Sequence, residues 1–292
     1  MDAVGLLLSD STVLIMFVAV LGAVAGSFLN VVIYRLPIMM EASWRRECEQ
    51  FLEIAGGGEA APARFDLVFP NSRCPHCQHA IRPHENIPLL SYLWLGGKCS
   101  QCKSPIALRY PLVEAATALI SVAVAWKLGP TWQMAWALLL SWSLVCLSAI
   151  DIDHRLLPDS ITLPFMWLGL FLSLFHVFAD SQSSIIGAMA GYLSLWLVFH
   201  AFKLLTGKEG MGYGDFKLLA LFGAWLGWQS LPLVVLLSSL VGAVAGVLMI
   251  VMMKQDRSTP IPFGPFLAAA GWIALLWGGE ITAAYLGASG IH

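Results

Sequence analysis

Residues 132–154 read WQMAWALLLSWSLVCLSAIDIDH, and this stretch indicates the fold class of the chain. No Lys, Arg, Asp or Glu precedes Asp151 in it, so residues 132–150 form an apolar run. A helix of about 20 apolar residues crosses a hydrocarbon core of about 30 Å. The run ends at two carboxylates, Asp151 and Asp153. Because an ionised side chain at a membrane is costly unless it is paired or hydrated, carboxylates in this position usually serve a function.

The composition of the whole chain also predicts a membrane protein. Of its 292 residues, 58% are hydrophobic and 12% are charged, which is too apolar for a soluble globular protein. The net charge of −2 and the sequence pI of about 6.4 provide no basic field for nucleic acid. We therefore expect membrane lipid as a partner and no nucleic acid.

Seven more apolar runs accompany residues 132–150. Together they predict an all-α polytopic membrane protein with about eight transmembrane helices. The run from Phe216 to Trp228 is short for a span, so its full crossing stays open. The other predicted spans are residues 12–33, 112–128, 161–178, 185–205, 231–253 and 261–278.

The Lys and Arg residues predict the orientation of these spans, because cytoplasmic loops keep the positive charge. With eight spans and the amino terminus outside, Lys127 alone among the Lys and Arg residues lies outside. If the short run did not cross, Lys254 and Arg257 would also move outside, so eight spans fit better. No Lys or Arg precedes Arg35, which favours a retained first span over a cleaved signal peptide.

A long polar region separates the first two spans and is too long for a simple connector. We predict a first transmembrane helix in residues 1–33, a small cytoplasmic domain in residues 34–111 and a membrane domain in residues 112–292. Within the cytoplasmic domain, Glu41–Ile54 has the pattern of a helix on the membrane surface. The Gly- and Ala-rich residues 55–63 predict a flexible link.

Two Cys-x-x-Cys knuckles in the polar region predict a metal site. Cys74 and Cys77 form the first knuckle, and Cys99 and Cys102 form the second. Four thiolates at this spacing are typical of a tetrahedral zinc ion in a closed, structural site. Disulfides or unrelated buried cysteines are the alternatives, and a reducing cytoplasm disfavours the disulfides.

Carboxylates near the ends of the predicted spans are the candidates for chemistry. Asp215 follows Gly212 and Gly214, and glycines permit conformations and close approaches that other residues obstruct. Two carboxylates brought together in a recess cannot both ionise easily, so one stays protonated while the other activates water. This is the chemistry of aspartic peptidases. All the candidates fall on the predicted cytoplasmic side: Glu114, Asp151, Asp153, Asp159 and Asp215.

The partner of Asp215 stays open on this reasoning. Asp159 stands where a helix N-cap is expected, and Asp153 resembles a solvated loop charge, but Asp151 and Asp153 both remain candidates. Two other functions also stay open. One is a proton-coupled transporter with a zinc-binding cytoplasmic domain, and the other is a scaffold without enzyme activity. Carboxylates gathered on one side, without an internal repeat, disfavour the transporter.

Several motifs along the whole chain resemble those of the type IV prepilin peptidase family, the prepilin leader peptidase/N-methyltransferases. They occur in the order that the family shows. The motifs are residues 26–30 GSFLN, 34–37 YRLP, the two knuckles, 109–114 RYPLVE, 151–154 DIDH, 157–159 LPD and 212–218 GYGDFKL.

The resemblance implies that Asp151 and Asp215 are the catalytic aspartates. It implies cleavage of the leader peptides of type IV prepilins and type II secretion pseudopilins, after a leader glycine, at the cytoplasmic face of the bacterial inner membrane. It also implies methylation of the new amino terminus by S-adenosylmethionine, with residues 34–111 as the methyltransferase region. The zinc would be structural. No Gly-x-Gly-x-x-Gly turn is present, and the resemblance points only to Gly97 near the methyl donor.

Overall fold

The computed structural model describes residues 11–52, 65–208, 210–253 and 262–289. These residues are mainly helical and contain no β-strand, apart from two isolated bridges, which confirms the all-α fold class. Short 3₁₀ turns occupy Pro83–Asn86 and Trp228–Ser230. The α-helices are α1 Ser11–Phe51, α2 Leu90–Trp94, α3 Arg109–Leu128, α4 Trp132–His154, α5 Asp159–Ser173, α6 Ser181–Thr206, α7 Tyr213–Leu226, α8 Leu231–Met253 and α9 Gly264–Ala288.

Each of the eight predicted apolar runs corresponds to a helix, but the helices differ in length. Six of them, α1, α3, α4, α6, α8 and α9, are long and apolar enough to cross a membrane, so this is a multi-pass membrane protein. Helix α5 has 15 residues and α7 has 14. At about 1.5 Å per residue both are shorter than a hydrocarbon core of about 30 Å. The count of eight spans therefore stays a prediction.

The first helix extends far beyond its predicted span. Helix α1 continues without a break from Ser11 to Phe51, through Pro37, for 41 residues. The helix predicted from Glu41 onwards is therefore the continuation of α1 and not a separate surface element. The predicted flexible link, residues 55–63, lies outside the described residues.

The chain divides into two compact units, Met1–Trp126 and Lys127–His292. In the first unit, α1 and α3 approach closely because small residues lie between them. A Cβ atom on Gly22 would lie 2.5 Å from Oγ of Ser121, and one on Gly26 would lie 2.8 Å from Cα of Glu114. Glycines at a helix contact allow the two backbones this approach, as is common in membranes.

Helix α7 forms the centre of the second unit. Phe216, Phe222 and Trp225 on it are almost completely buried, and α7 packs against α5, α6 and α9. A Cβ on Gly187 of α6 would lie 2.3 Å from the carbonyl oxygen of Gly223, so these backbones touch. A helix that is apolar on all sides is a buried helix. The apolarity of α7 on all sides thus reflects its enclosure by neighbouring helices.

Candidate active site and metal centre

Asp215 lies in the first turn of α7 and is 6% exposed. Its backbone N–H donates to the carbonyl of Gly212 at 3.2 Å, which closes the turn. A Cβ on Gly214 would lie 2.8 Å from Cβ of Leu157, so a larger residue would push these two segments apart. The glycine before Asp215 therefore provides the close approach that the sequence predicted.

Asp151 lies near the end of α4 and is also 6% exposed. The helix ends at Arg155, which adopts a left-handed conformation with φ 54° and donates its N–H to the carbonyl of Asp151 at 2.9 Å. The Asp151 side chain turns towards the start of α9, where its Oδ2 accepts the N–H of Gly264 at 3.0 Å. A Cβ on Gly264 would lie only 2.6 Å from that oxygen. The N–H of Gly264 thus binds the Asp151 carboxylate, and the lack of a side chain at Gly264 leaves space for it.

The structure brings Asp151 and Asp215 together. Both side chains are buried in the second unit, and they are near enough for the charge of one to act on the other. Burial and mutual repulsion both oppose a state in which two adjacent carboxylates are ionised. Such a pair holds one proton between its members, so it offers one acid and one base to the same water molecule.

The other carboxylates of this region do not join the pair. Asp153 is exposed in the last turn of α4, on a side of the helix that Asp151 does not share. Asp159 begins α5, but the N-cap residue is Pro158, and no side-chain capping bond is present. The predicted N-cap role of Asp159 is therefore wrong. Both Asp159 oxygens instead accept hydrogen bonds from Nζ of Lys217 at 2.7 Å.

The four predicted metal ligands form one cluster in the first unit. The Sγ atoms of Cys74, Cys77, Cys99 and Cys102 all lie within 4.8 Å of one another. Sγ of Cys74 is 3.7 Å from that of Cys102, and Sγ of Cys77 is 3.9 Å from that of Cys99. Tetrahedral zinc with Zn–S bonds of about 2.3 Å requires S–S separations of about 3.8 Å. All four are free thiols, so the disulfide alternative is wrong, and the cluster fits a metal ion.

The two knuckles repeat one backbone geometry. In each, the carbonyl of the first cysteine accepts the N–H of the residue four positions later, Gln78 at 2.9 Å and Lys103 at 3.2 Å. Gln78 and Lys103 both have positive φ, 57° and 59°, which turns the chain back sharply. The sequence spacing therefore produces two matching turns that aim their thiols at one point.

Hydrogen bonds lower the pKa of two of the four thiols, whereas burial and the neighbouring thiols raise the pKa of Cys77 to about 11. Backbone bonds from Cys77 and His76 lower the pKa of Cys74 to about 6. The Ser104 hydroxyl, 3.0 Å from Sγ of Cys102, lowers the pKa of that thiol as well. Because metals bind the thiolate, a lowered pKa favours binding near neutral pH.

Two family models match the chain, the bacterial peptidase A24 N-terminal domain over residues 20–128 and the type IV leader peptidase family over residues 138–247. A prepilin leader peptidase/N-methyltransferase of Stutzerimonas stutzeri is 57% identical over 98% of both chains. Proteins of the same name from Pseudomonas aeruginosa and Burkholderia pseudomallei are 60% and 47% identical. The alignment with the Pseudomonas aeruginosa protein covers 91% of both chains. The alignment with the Burkholderia pseudomallei protein covers 90% of this chain and 85% of the relative. The chain belongs to the type IV leader peptidase family. No solved structure matches it.

Membership of this family confirms the resemblance drawn from the motifs. The type IV leader peptidase model covers both Asp151 and Asp215, whereas the N-terminal model covers the four cysteines. The carboxylate pair and the thiol cluster thus fall into separate family domains.

Two buried polar residues of the N-terminal motifs, Arg35 on α1 and Glu114 on α3, bind the backbone of the segment that lies between these helices in the sequence. The guanidinium of Arg35 donates to the carbonyls of Asp66 and Pro70 at 2.8 and 2.5 Å. Oε2 of Glu114 accepts the N–H of Leu89 at 2.8 Å. Arg35 and Glu114 are 7% and 8% exposed. Glu114, predicted as a candidate for chemistry, therefore binds backbone within its own unit.

Sequence reasoning missed two of these residues. The contacts of Gly264 and Arg35 were not predicted, although Arg35 belongs to a motif that carries the family resemblance. Both lie in motifs, PFGP at 262–265 and YRLP at 34–37. Only the fold shows which atoms they bind.

Proposed function

We propose that this protein removes the leader peptides of type IV prepilins and type II secretion pseudopilins, and then N-methylates the new amino terminus. The family and the names of the relatives support both activities. The proposed peptidase activity rests on the nearness of the buried Asp151 and Asp215 carboxylates to each other. Asp151 and Asp215 are the proposed catalytic residues.

The hydrolysis follows from the two carboxylates in opposite protonation states. The ionised member takes a proton from water, whose oxygen attacks the scissile carbonyl carbon, while the protonated member donates to the carbonyl oxygen. The C–N bond then breaks as the leaving nitrogen receives a proton, so that one water and one peptide bond give an acid and an amine. The Gly264 N–H binds Oδ2 of Asp151 and favours charge there. Asp151 is accordingly the proposed base and Asp215 the proposed acid.

The distribution of Lys and Arg supports a cytoplasmic active site in the bacterial inner membrane. Asp151 stands at the carboxyl end of α4, and Asp215 stands at the amino end of α7, two residues before Lys217. Arg155, four residues after Asp151, adds to the same positive side. Membrane-embedded substrates would therefore be cut near the inner surface.

The thiol cluster supports a structural zinc ion held by Cys74, Cys77, Cys99 and Cys102. Four thiolates leave no open coordination position, so this zinc would stabilise the fold of residues 34–111 and take no part in hydrolysis. We propose the same region for methyl transfer, for which S-adenosylmethionine would supply the methyl group. Gly97 there has a φ of 68°, and a Cβ on it would lie 2.8 Å from Oη of Tyr92, so a glycine is needed.

The transporter alternative has no support from the family or from the relatives. A reconstituted assay distinguishes the proposed enzyme from a scaffold without enzyme activity, and it measures cleavage and methylation separately. Purified protein in liposomes, given one prepilin and S-adenosylmethionine, should release the leader and methylate the mature amino terminus, both measured by mass spectrometry. An intact prepilin after prolonged incubation would refute the peptidase. Released but unmethylated pilin would refute only the second activity.

A further inference from the structure

The short helix α2 exposes three large apolar side chains on one face. Leu90, Leu93 and Trp94 are 64%, 74% and 86% exposed. They occupy positions i, i+3 and i+4 of the helix, so they share one face. Large apolar side chains grouped at a surface usually mark a contact with a membrane or another apolar partner.

One hydrogen bond places α2 beside the end of a membrane-spanning helix. Helix α3 has 20 residues, and at about 1.5 Å per residue it is about as long as a hydrocarbon core of about 30 Å is thick. Glu114, in the second turn of α3, accepts the N–H of Leu89 at 2.8 Å, and Leu89 directly precedes α2. Glu114 is about 7.5 Å along the axis from the first residue of α3. Helix α2 therefore begins at the level where α3 enters the membrane.

The charges around α2 complement an anionic membrane surface. Residues 86–113 contain Lys98, Lys103 and Arg109, but no Asp or Glu. The side chains of Lys98 and Lys103 are exposed. Basic residues next to an apolar helix face are typical of helices that lie in the headgroup layer of an anionic membrane, and Trp is common at this depth.

We propose that α2 lies in the headgroup layer, where its face of Leu90, Leu93 and Trp94 inserts among the acyl chains. Lys98 and Lys103 then contact anionic phosphate groups. The partner of this face is the lipid of the membrane that α3 crosses. The contact holds the second knuckle, which follows α2 closely, at the membrane surface, and it does not depend on the proposed enzyme activity.

The test places a photoreactive side chain on the exposed face of α2. The full chain with Trp94→benzoylphenylalanine is reconstituted in phosphatidylcholine vesicles, with or without phosphatidylglycerol, and is then illuminated. The new residue keeps an aromatic ring at position 94, which favours folding, and circular dichroism verifies the helical content. His84→benzoylphenylalanine is the control, since His84 is exposed in the 3₁₀ turn before α2 and lies outside the face. Mass spectrometry identifies the molecule that each position captures.

Position 94 should capture phospholipid, and position 84 should capture much less. Phosphatidylglycerol should raise the yield at position 94 by at least about fivefold, because each basic residue near an anionic surface strengthens the attraction by about this factor. Adding Lys98→Gln should reduce this dependence on phosphatidylglycerol. Arg73→Gln is the matched control, because Arg73 precedes the first knuckle as Lys98 precedes the second, and each forms an isolated bridge. It should leave the dependence unchanged.

Three results would overturn the lipid contact. They are the absence of a lipid adduct at position 94, equal lipid capture at positions 84 and 94, and capture of an added prepilin or a second copy of this chain in place of lipid. A yield that does not respond to phosphatidylglycerol, or that responds equally in Lys98→Gln, would overturn the role of the lysines. Because no outcome depends on peptide cleavage, these results are distinct from a failure of the proposed function.

Discussion

The backbone N–H of Gly264 lies 3.0 Å from Oδ2 of Asp151, although the two residues are 113 positions apart in the chain. The bond joins the end of α4 to the beginning of α9. A carboxylate held by a backbone amide cannot rotate freely, because the amide belongs to a helix that packing has fixed. The orientation of Asp151 is therefore a property of the helix assembly as well as of its own rotamer.

Gly264→Ala should reduce prepilin cleavage by about 10²-fold in kcat, because a displacement of about 1 Å at a catalytic group has this effect. The new Cβ would lie 2.6 Å from Oδ2 of Asp151 and 3.2 Å from Cδ2 of Leu157, so the carboxylate must move. The rate is measured in liposomes with Gly279→Ala as the control, since nothing lies near that position. Methylation of a mature pilin offered directly should continue. Unchanged cleavage by Gly264→Ala would show that Asp151 does not need this orientation.

Asp151→Asn and Asp215→Asn should each lower the cleavage rate by at least about 10²-fold, since each removes the acid or the base from the pair. Asp153→Asn is the matched control. It makes the same change two residues from Asp151, but on an exposed side chain, and should retain near-normal cleavage. Leader release is followed by mass spectrometry, and membrane insertion is verified for each variant. Strong cleavage by Asp151→Asn or Asp215→Asn would show that these two residues are not the catalytic pair. Equal inactivity of all three variants, Asp153→Asn included, would contradict it as well.

The apolar runs predicted the helices well because hydrophobicity in a membrane is a local property of the sequence. Residues 132–150 could be identified without knowledge of any neighbour, and they lie within α4. The count of crossings was harder to predict. Helix α7 is apolar because it is enclosed by other helices, and its 14 residues do not by themselves indicate whether it reaches both surfaces.

The site was predictable to the extent that its chemistry is local. The knuckle spacing predicted the four cysteines that lie in one cluster, and the glycines before Asp215 pointed to a carboxylate that is buried. The choice between Asp151 and Asp153 depends on which side of α4 faces the core, and the sequence pattern near a helix end does not show this. The role of Gly264 depends on a contact between distant helices, so no local pattern could reveal it.

Glu114→Ala should loosen the segment that begins at Leu89. The Leu89 N–H donates to Glu114 at 2.8 Å and would lose its partner, at a cost of about 1 kcal/mol for this partly buried hydrogen bond. Hydrogen exchange at Leu89 and α2 should accelerate. Glu49→Ala, an exposed glutamate on α1, is the control and should leave exchange in this segment unchanged. If exchange at Leu89 does not respond to Glu114→Ala, the carboxylate does not anchor this segment.

The thiol cluster should hold about one zinc ion per chain, because four thiolates with suitable spacing complete a tetrahedral site. Elemental analysis of the purified protein measures this directly. Cys77→Ser and Cys102→Ser should each lower the zinc content and expose the knuckles to limited proteolysis, since folding of such segments depends on the metal. Cys48→Ser is the control, because Cys48 lies on α1 outside the cluster. A protein without metal, whose knuckles resist the protease as well as before, would show that these cysteines stabilise the segment in another way.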